Sequence, residues 1–273
     1  MIASRTLKKL RSGDFARMAV LSRFPEPWLG ELAGQLGFDL IWMDMEHRLF
    51  SYDEVASLAV ACRAGGIDLM VRILKTGYST PMRILECGVN GIMVPHCMDA
   101  AEARQWVEWT RFAPLGKRGF DGAGADANYM LVDPIKYMEH ANRETFLVLQ
   151  IEDREALDHI EEIANTDGVD LLFVGPADLS ISLGVPMQFD HPLVQNAIDR
   201  VANATQKAGK WWSLPAGTPE AAQRALDRGA RLLTTAHDHV VMVNGLQSAF
   251  KNSEGLTIRQ ALAENGALPA AGD

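Results

Sequence analysis

A rhythm in the chain constrains its fold more than any single residue does. Apolar runs of strand length recur eight times, at 16–21, 39–44, 68–73, 91–96, 146–151, 170–174, 211–214 and 231–235. The run Leu171-Leu172-Phe173-Val174 is apolar at every position, as in a strand buried on both faces. Helical signals fill the spaces between. Ser51 and Glu54 form a capping box before a helix that ends at Gly65-Gly66. Thr218-Pro219 opens another. Strand and helix in strict alternation imply a parallel sheet. Eight such units in about 250 residues fit a closed (β/α)8 TIM barrel. The competing architecture is an open doubly wound sheet.

No shift in composition marks a second domain, so 1–273 reads as a single barrel domain. The stretch 251–273, rich in Ala, Gly and Pro, reads as a tail that is flexible or packs on a neighbouring subunit. The rhythm pauses at 111–144, with a glycine-rich loop from Pro114 to Gly124 and a helix near 133–140. Loops this long in compact chains are functional or disordered.

A net charge of −9 disfavours nucleic acid as a partner. No apolar run approaches the ~18 residues of a membrane span, and no apolar signal region follows Met1-Ile2-Ala3-Ser4-Arg5. Cys62, Cys87 and Cys97 are odd in number and form no CxxC pair, which suggests reduced thiols in a cytoplasmic protein without zinc or disulfides.

In a barrel the chemistry sits where strands end. Glu152 lies just past one apolar run. Asp178 lies just past the next, after the break at Gly175-Pro176. Two neighbouring carboxylates, with waters and a chelating substrate, complete an octahedral site for a hard divalent ion. The competing reading is helix capping by Asp153 or Asp178. His47 follows the second strand with Asp44 three residues before it, and a carboxylate partner holds a histidine in one tautomer as a base. Arg72 ends the third strand, where its planar fork suits a carboxylate or an enolate; the alternative is a buried pair with Asp44 or Glu46.

Other motifs weigh less. His237-Asp238-His239 does not read as a metal cluster, because neighbours on a strand end point apart. Gly116-Lys117-Arg118-Gly119 is weak as an anion loop, and there is neither a GxGxxG nor a P-loop motif. Of Trp211 and Trp212, one indole belongs in the barrel or pocket and the other under a helix.

Together these segments resemble the HpcH/HpaI aldolase family. The resemblance rests on Asp39 through His47, on Val71-Arg72 and on Thr110 through Gly119. Its most specific part is Gln150-Ile151-Glu152 followed by Phe173-Val174-Gly175-Pro176-Ala177-Asp178-Leu179. It runs in register from about 15 to 250 and implies a metal-dependent pyruvate aldolase. Glu152 and Asp178 would hold Mg2+, Mn2+ or Co2+, chelated by pyruvate. Arg72 would contact the keto oxygen, Gln150 would position the substrate or a water, and His47, oriented by Asp44, would move protons. Backbone amides from Gly175 to Asp178, Pro176 excepted and Ala177 included, would hold the substrate carboxylate. The family also implies a homo-oligomer, commonly a hexamer. The segments Phe120–Asp126, Trp211–Pro215 and His237–His239 depart from the family pattern, which leaves the acceptor aldehyde open. The expected reaction is reversible cleavage of a 4-hydroxy-2-oxo acid to pyruvate and an aldehyde. Oxaloacetate decarboxylation on the same site is one alternative, and a non-catalytic barrel that binds an oxo acid is another.

Overall fold

The alternation closes on itself. The computed structural model describes residues 3–254. Its strands are β1 Ala16–Leu21, β2 Leu40–Asp44, β3 Asp68–Arg72, β4 Gly91–Val94, β5 Phe146–Ile151, β6 Leu171–Val174, β7 Trp211–Pro215 and β8 Leu232–His237. Each pairs in parallel with the next, and β8 pairs back onto β1, so the doubly wound alternative is set aside. The helices are α1 Arg5–Arg11, α2 Pro27–Gln35, α3 Tyr52–Ala64, α4 Ser79–Glu86, α5 Ala100–Thr110, α6 Pro134–Glu144, α7 Arg154–Asp158, α8 Ile160–Ala164, α9 Pro176–Ser182, α10 Pro192–Lys207, α11 Pro219–Asp227 and α12 Asp238–Ser253.

Strand periodicity sorts the core into two layers. Met18, Leu40, Trp42, Met70, Met93, Val148, Phe173 and Leu232 fill the barrel interior. Their neighbours Ile41, Met43, Leu69, Val71, Leu147, Leu149 and Leu172 pack outward under the helices. Trp211 packs against the interior layer and Trp212 lies in the outer one, the division expected for this pair. The helix α1 adds Leu7 and Leu10 to the interior layer. Buried Asp68, at the start of β3, ties it down by accepting from Ser4 Oγ (2.6 Å), Thr6 N (2.8 Å) and Arg5 N (3.1 Å).

The pause in the rhythm is built rather than loose. Arg111 donates to Thr145 O (2.9 Å) and Gly168 O (3.1 Å) and pairs with Asp170. Arg118 pairs with Asp126 (2.6 Å), and its guanidinium lies over the Phe112 ring, 4.6 Å from the centroid. Lys117 pairs with Glu108 (2.8 Å), so the basic loop is engaged by the protein's own acids. One element runs against the sequence reading. The helix after the run 170–174 is expected only at 191–208, with a loop before it, but α9 starts directly after β6. Pro176 at its first position has φ fixed in the helical range, which favours the start.

The chain divides into two compact units, Met1–Asp238 and His239–Asp273. The barrel is the first. The described part of the second is the remainder of α12 and Glu254, so the terminal unit begins before the expected tail at 251. Residues 255–273 of that tail lie outside the described residues.

Candidate active site

The C-terminal ends of β3, β5 and β6 deliver their polar side chains to one cavity of about 640 Å³. Arg72, Gln150, Glu152 and the turn from Gly175 to Asp178 line it, with Trp42 and Phe173 from the barrel interior. Phe189, Leu214, Pro215 and Arg224 also line it.

Glu152 is buried, at 1 % exposure. Its Oε1 accepts from the His96 backbone N–H (2.9 Å) and its Oε2 from Gln150 Nε2 (3.0 Å). Burial pushes its carboxyl up to about 7, against the partial relief of the His96 N–H and the charges around it. Gly175 makes this placement possible: a Cβ there would lie 2.2 Å from Glu152 Oε2. Asp178 stands in the first turn of α9 and lines the same cavity. The N-cap of α9 is Gly175, which disposes of Asp178 as its cap. Asp153 occupies the N-cap of α7 but makes no cap bond.

Arg72 forms the buried pair that is the alternative reading of its position, and it also faces the cavity. It is 8 % exposed and lines the cavity. Asp44, its register partner on β2, binds it in two places, Oδ1 to Nε (2.9 Å) and Oδ2 to Nη2 (2.8 Å). Its Nη1 faces Glu46 Oε2 (3.0 Å) and Gln150 Oε1 (3.4 Å). Burial alone would raise the Asp44 carboxyl, but the Arg72 guanidinium outweighs it and holds that carboxyl below its ordinary value.

The expected Asp44–His47 side-chain pair is not what this geometry forms. Asp44 Oδ1 accepts from the backbone N–H groups of Glu46 (3.1 Å) and His47 (3.4 Å), so it shapes the loop and leaves the ring alone. The reason is register: a permanently charged fork stands directly across from Asp44. The His47 ring is 54 % exposed and lies 3.6 Å from Glu46 Oε2, beside the cavity lining rather than in it. In the triplet His237-Asp238-His239 the middle residue, Asp238, accepts from the N–H groups of Ser22 (2.9 Å), Arg23 (2.6 Å) and Phe24 (3.0 Å), a structural task.

Sequence reasoning passes over His96. It follows β4 and brings its ring Nδ1 to Asp153 Oδ2 (2.8 Å) and its Nε2 to 3.8 Å from Glu46 Oε1. Burial acts to lower this imidazole, but the Asp153 bond and the carboxylates of Glu152, Asp153 and Glu46 outweigh it and raise it. Its position one strand from Arg72, at a strand's carboxyl end, is the signal by which it is found. Among the described residues, no three His, Cys, Asp or Glu side chains cluster as a metal cage. The cavity lining carries three carboxylates, Glu152, Asp178 and Asp190, of which the first two follow β5 and β6.

Comparisons with known proteins bear on the family and the fold. The model of the HpcH/HpaI aldolase/citrate lyase family matches residues 24–245. A 2-keto-3-deoxy-L-rhamnonate aldolase of Salmonella gallinarum is 30% identical over 240 residues, covering 88% of this chain and 89% of that protein. The crystal structure of an HpcH/HpaI aldolase from Desulfitobacterium hafniense superposes with a TM-score of 0.89 at 27% identity, over 93% of this chain and 98% of that one. The citrate synthase SbnG superposes with a TM-score of 0.82 at 26% identity, over 90% and 96%.

Proposed function

This chain belongs to the HpcH/HpaI aldolase/citrate lyase family and is a carbon–carbon lyase, and from that premise we propose that it reversibly cleaves a 4-hydroxy-2-oxo acid to pyruvate and an aldehyde. The observation that carries the reading is the convergence of Arg72, Gln150, Glu152 and the 175–178 turn on one cavity.

The donor set fits a divalent ion, Mg2+, Mn2+ or Co2+, held by Glu152 and Asp178. A carboxylate as buried as Glu152, its carboxyl pushed up to about 7, is stabilised as an anion by a cation beside it. The room over Gly175 lets that carboxylate approach the α9 turn. Two protein oxygens leave positions for water and a chelating oxo acid, as hard octahedral ions prefer. When bound, the ion supplies Lewis-acid polarisation of the substrate carbonyl.

The chain's own residues do the rest. Asp44 fixes the Arg72 fork, so negative charge developing on the keto oxygen meets a cation that needs no reorientation. Gln150 bridges Arg72 and Glu152 and holds the two in one frame. The Gly175 N–H is engaged by Ile151 O (3.3 Å) and Pro176 has none, so the substrate carboxylate falls to the first-turn amides of Ala177 and Asp178. We assign proton transfer to the His47 ring, placed by Glu46. Pyruvate fills a small part of a cavity of about 640 Å³, and the apolar lining by Phe189, Leu214 and Pro215 supports an aldehyde in the remainder.

We further place the protein in the cytoplasm as a homo-oligomer, the hexamer being the assembly that the family resemblance implies. The thiols of Cys62, Cys87 and Cys97 are free, and burial pushes those of Cys62 and Cys97 up to about 12, which supports structural rather than redox use. No described helix is long and apolar enough to cross a membrane. Val240, Val241, Met242, Val243, Leu246 and Phe250 make α12 an apolar helix suited to a subunit contact.

The test is a panel of aldehydes offered with pyruvate and each metal, with products read by mass. Pyruvate-dependent consumption of an aldehyde is the expected result. Release of CO2 from oxaloacetate, with no aldehyde consumed, would replace aldol chemistry by decarboxylation.

A further inference from the structure

Glu152 is aimed by a residue in an uncommon conformation. His96 has φ 47°, in the left-handed region that a residue with a Cβ adopts reluctantly. Three bonds hold it there. Its N–H donates to Glu152 Oε1 (2.9 Å), its carbonyl accepts from Lys75 Nζ (2.8 Å), and its ring Nδ1 pairs with Asp153 Oδ2 (2.8 Å). Lys75 is itself tied to Glu102 (2.6 Å).

Asp153 departs from its local preference too. Aspartate at an N-cap ordinarily accepts from the helix's first amides. Asp153 is the N-cap of α7 and makes no such bond; its carboxylate goes to the His96 ring instead. Two local rules are therefore set aside within one contact. Backbone outliers persist where the surroundings over-determine them, and they cluster at functional sites. The group both residues serve is the Glu152 carboxylate, whose Oε1 is oriented by the left-handed His96 N–H and whose Oε2 is oriented by Gln150 (3.0 Å).

We propose that His96 and Asp153 form a positioning pair for Glu152. The ring–carboxylate bond keeps His96 left-handed, and that conformation delivers the N–H that aims Glu152 at a divalent cation. The inference rests on the reading of Glu152 as a metal ligand.

Calorimetric titration of the metal-free protein with Mn2+ tests it, alongside thermal melting of each variant. His96→Ala and Asp153→Ala should each weaken Mn2+ binding by about 10- to 100-fold, the scale for removing a partner of a metal ligand. The double variant should bind no more weakly than the weaker single, because both residues act through one device. His96→Gly should bind close to wild type, since glycine takes the left-handed conformation freely and keeps the N–H. That rescue separates positioning from a general structural role and from direct contact by the ring. Wild-type affinity in both alanine variants, additive losses in the double, or a glycine variant as weak as the alanine one would each overturn the pair. Glu152→Gln is the control: if it binds Mn2+ normally, the metal reading fails instead. Asp153 is part-exposed, so its variant carries the test if His96→Ala does not fold.

Discussion

Gly175→Ala isolates one contact on which the site depends. Gly175 has φ −90° and ψ 90°, which alanine adopts without strain, so the backbone raises no objection. The added Cβ does. It would stand 2.2 Å from Glu152 Oε2 and 3.0 Å from Glu152 Cβ. A normal carbon–oxygen contact requires the carboxylate to retreat by about 1 Å. It cannot do so freely, because Oε1 is held by the His96 N–H (2.9 Å) and Oε2 by Gln150 Nε2 (3.0 Å). Retreat breaks at least one of these bonds. A hydrogen bond to a charged group contributes about 1.5–3 kcal/mol, so Mn2+ affinity should fall roughly 10- to 100-fold. Overpacking adds a stability cost of about 1–3 kcal/mol, which leaves a protein of this size folded. Titration calorimetry of the metal-free variant, with circular dichroism to establish the fold, gives the answer. A folded Gly175→Ala protein with wild-type Mn2+ affinity and turnover would refute both the placement of Glu152 over Gly175 and its role as a ligand.

Arg72→Lys keeps a charge but loses the fork that Asp44 grips, and kcat should drop by roughly 10²-fold; near-normal turnover would return Arg72 to a structural role. Mn2+ binding should depend on pH through Glu152, whose carboxyl is pushed up to about 7. Below that value a proton competes with the metal, so affinity measured by calorimetry should fall about tenfold per pH unit and level off above it; a flat profile from pH 5 to 8 would count against Glu152. The same raised value means that Glu152 by itself favours the metal-free fold as pH falls from about 7 toward its ordinary range, the reverse of a salt-bridged acid. Asp68→Ala should release α1, since Ser4, Arg5 and Thr6 all donate to that buried carboxylate. The expected loss is about 3 kcal/mol, read as a melting point lower by roughly 5–10 °C; an unchanged melt would mean that Leu7 and Leu10 suffice.

The barrel was legible in the sequence because it is written in local terms. A run such as Leu171-Leu172-Phe173-Val174 suits burial on both faces wherever it lies, and the Ser51–Glu54 capping box closes within one turn. The strand-end rule likewise pointed to Arg72, Glu152 and Asp178, because parallel strands in a barrel all end on one face, while Gln150 came from the family resemblance. Partnership was legible only as alternatives, Arg72 with Asp44 or Glu46 being one and Asp44 with His47 another. Asp44 lies three residues from His47 in the chain but directly across from Arg72 in the barrel, and the guanidinium takes both of its oxygens. His96 and Asp153 are 57 positions apart and meet because β4 and β5 are neighbours. The sequence by itself determined which strands form and which residues stand at their ends, since those depend on period and nearest neighbours. Only the tertiary structure decided which side chain holds which, because strand pairing sets those distances and burial makes charged groups choose the partner within reach.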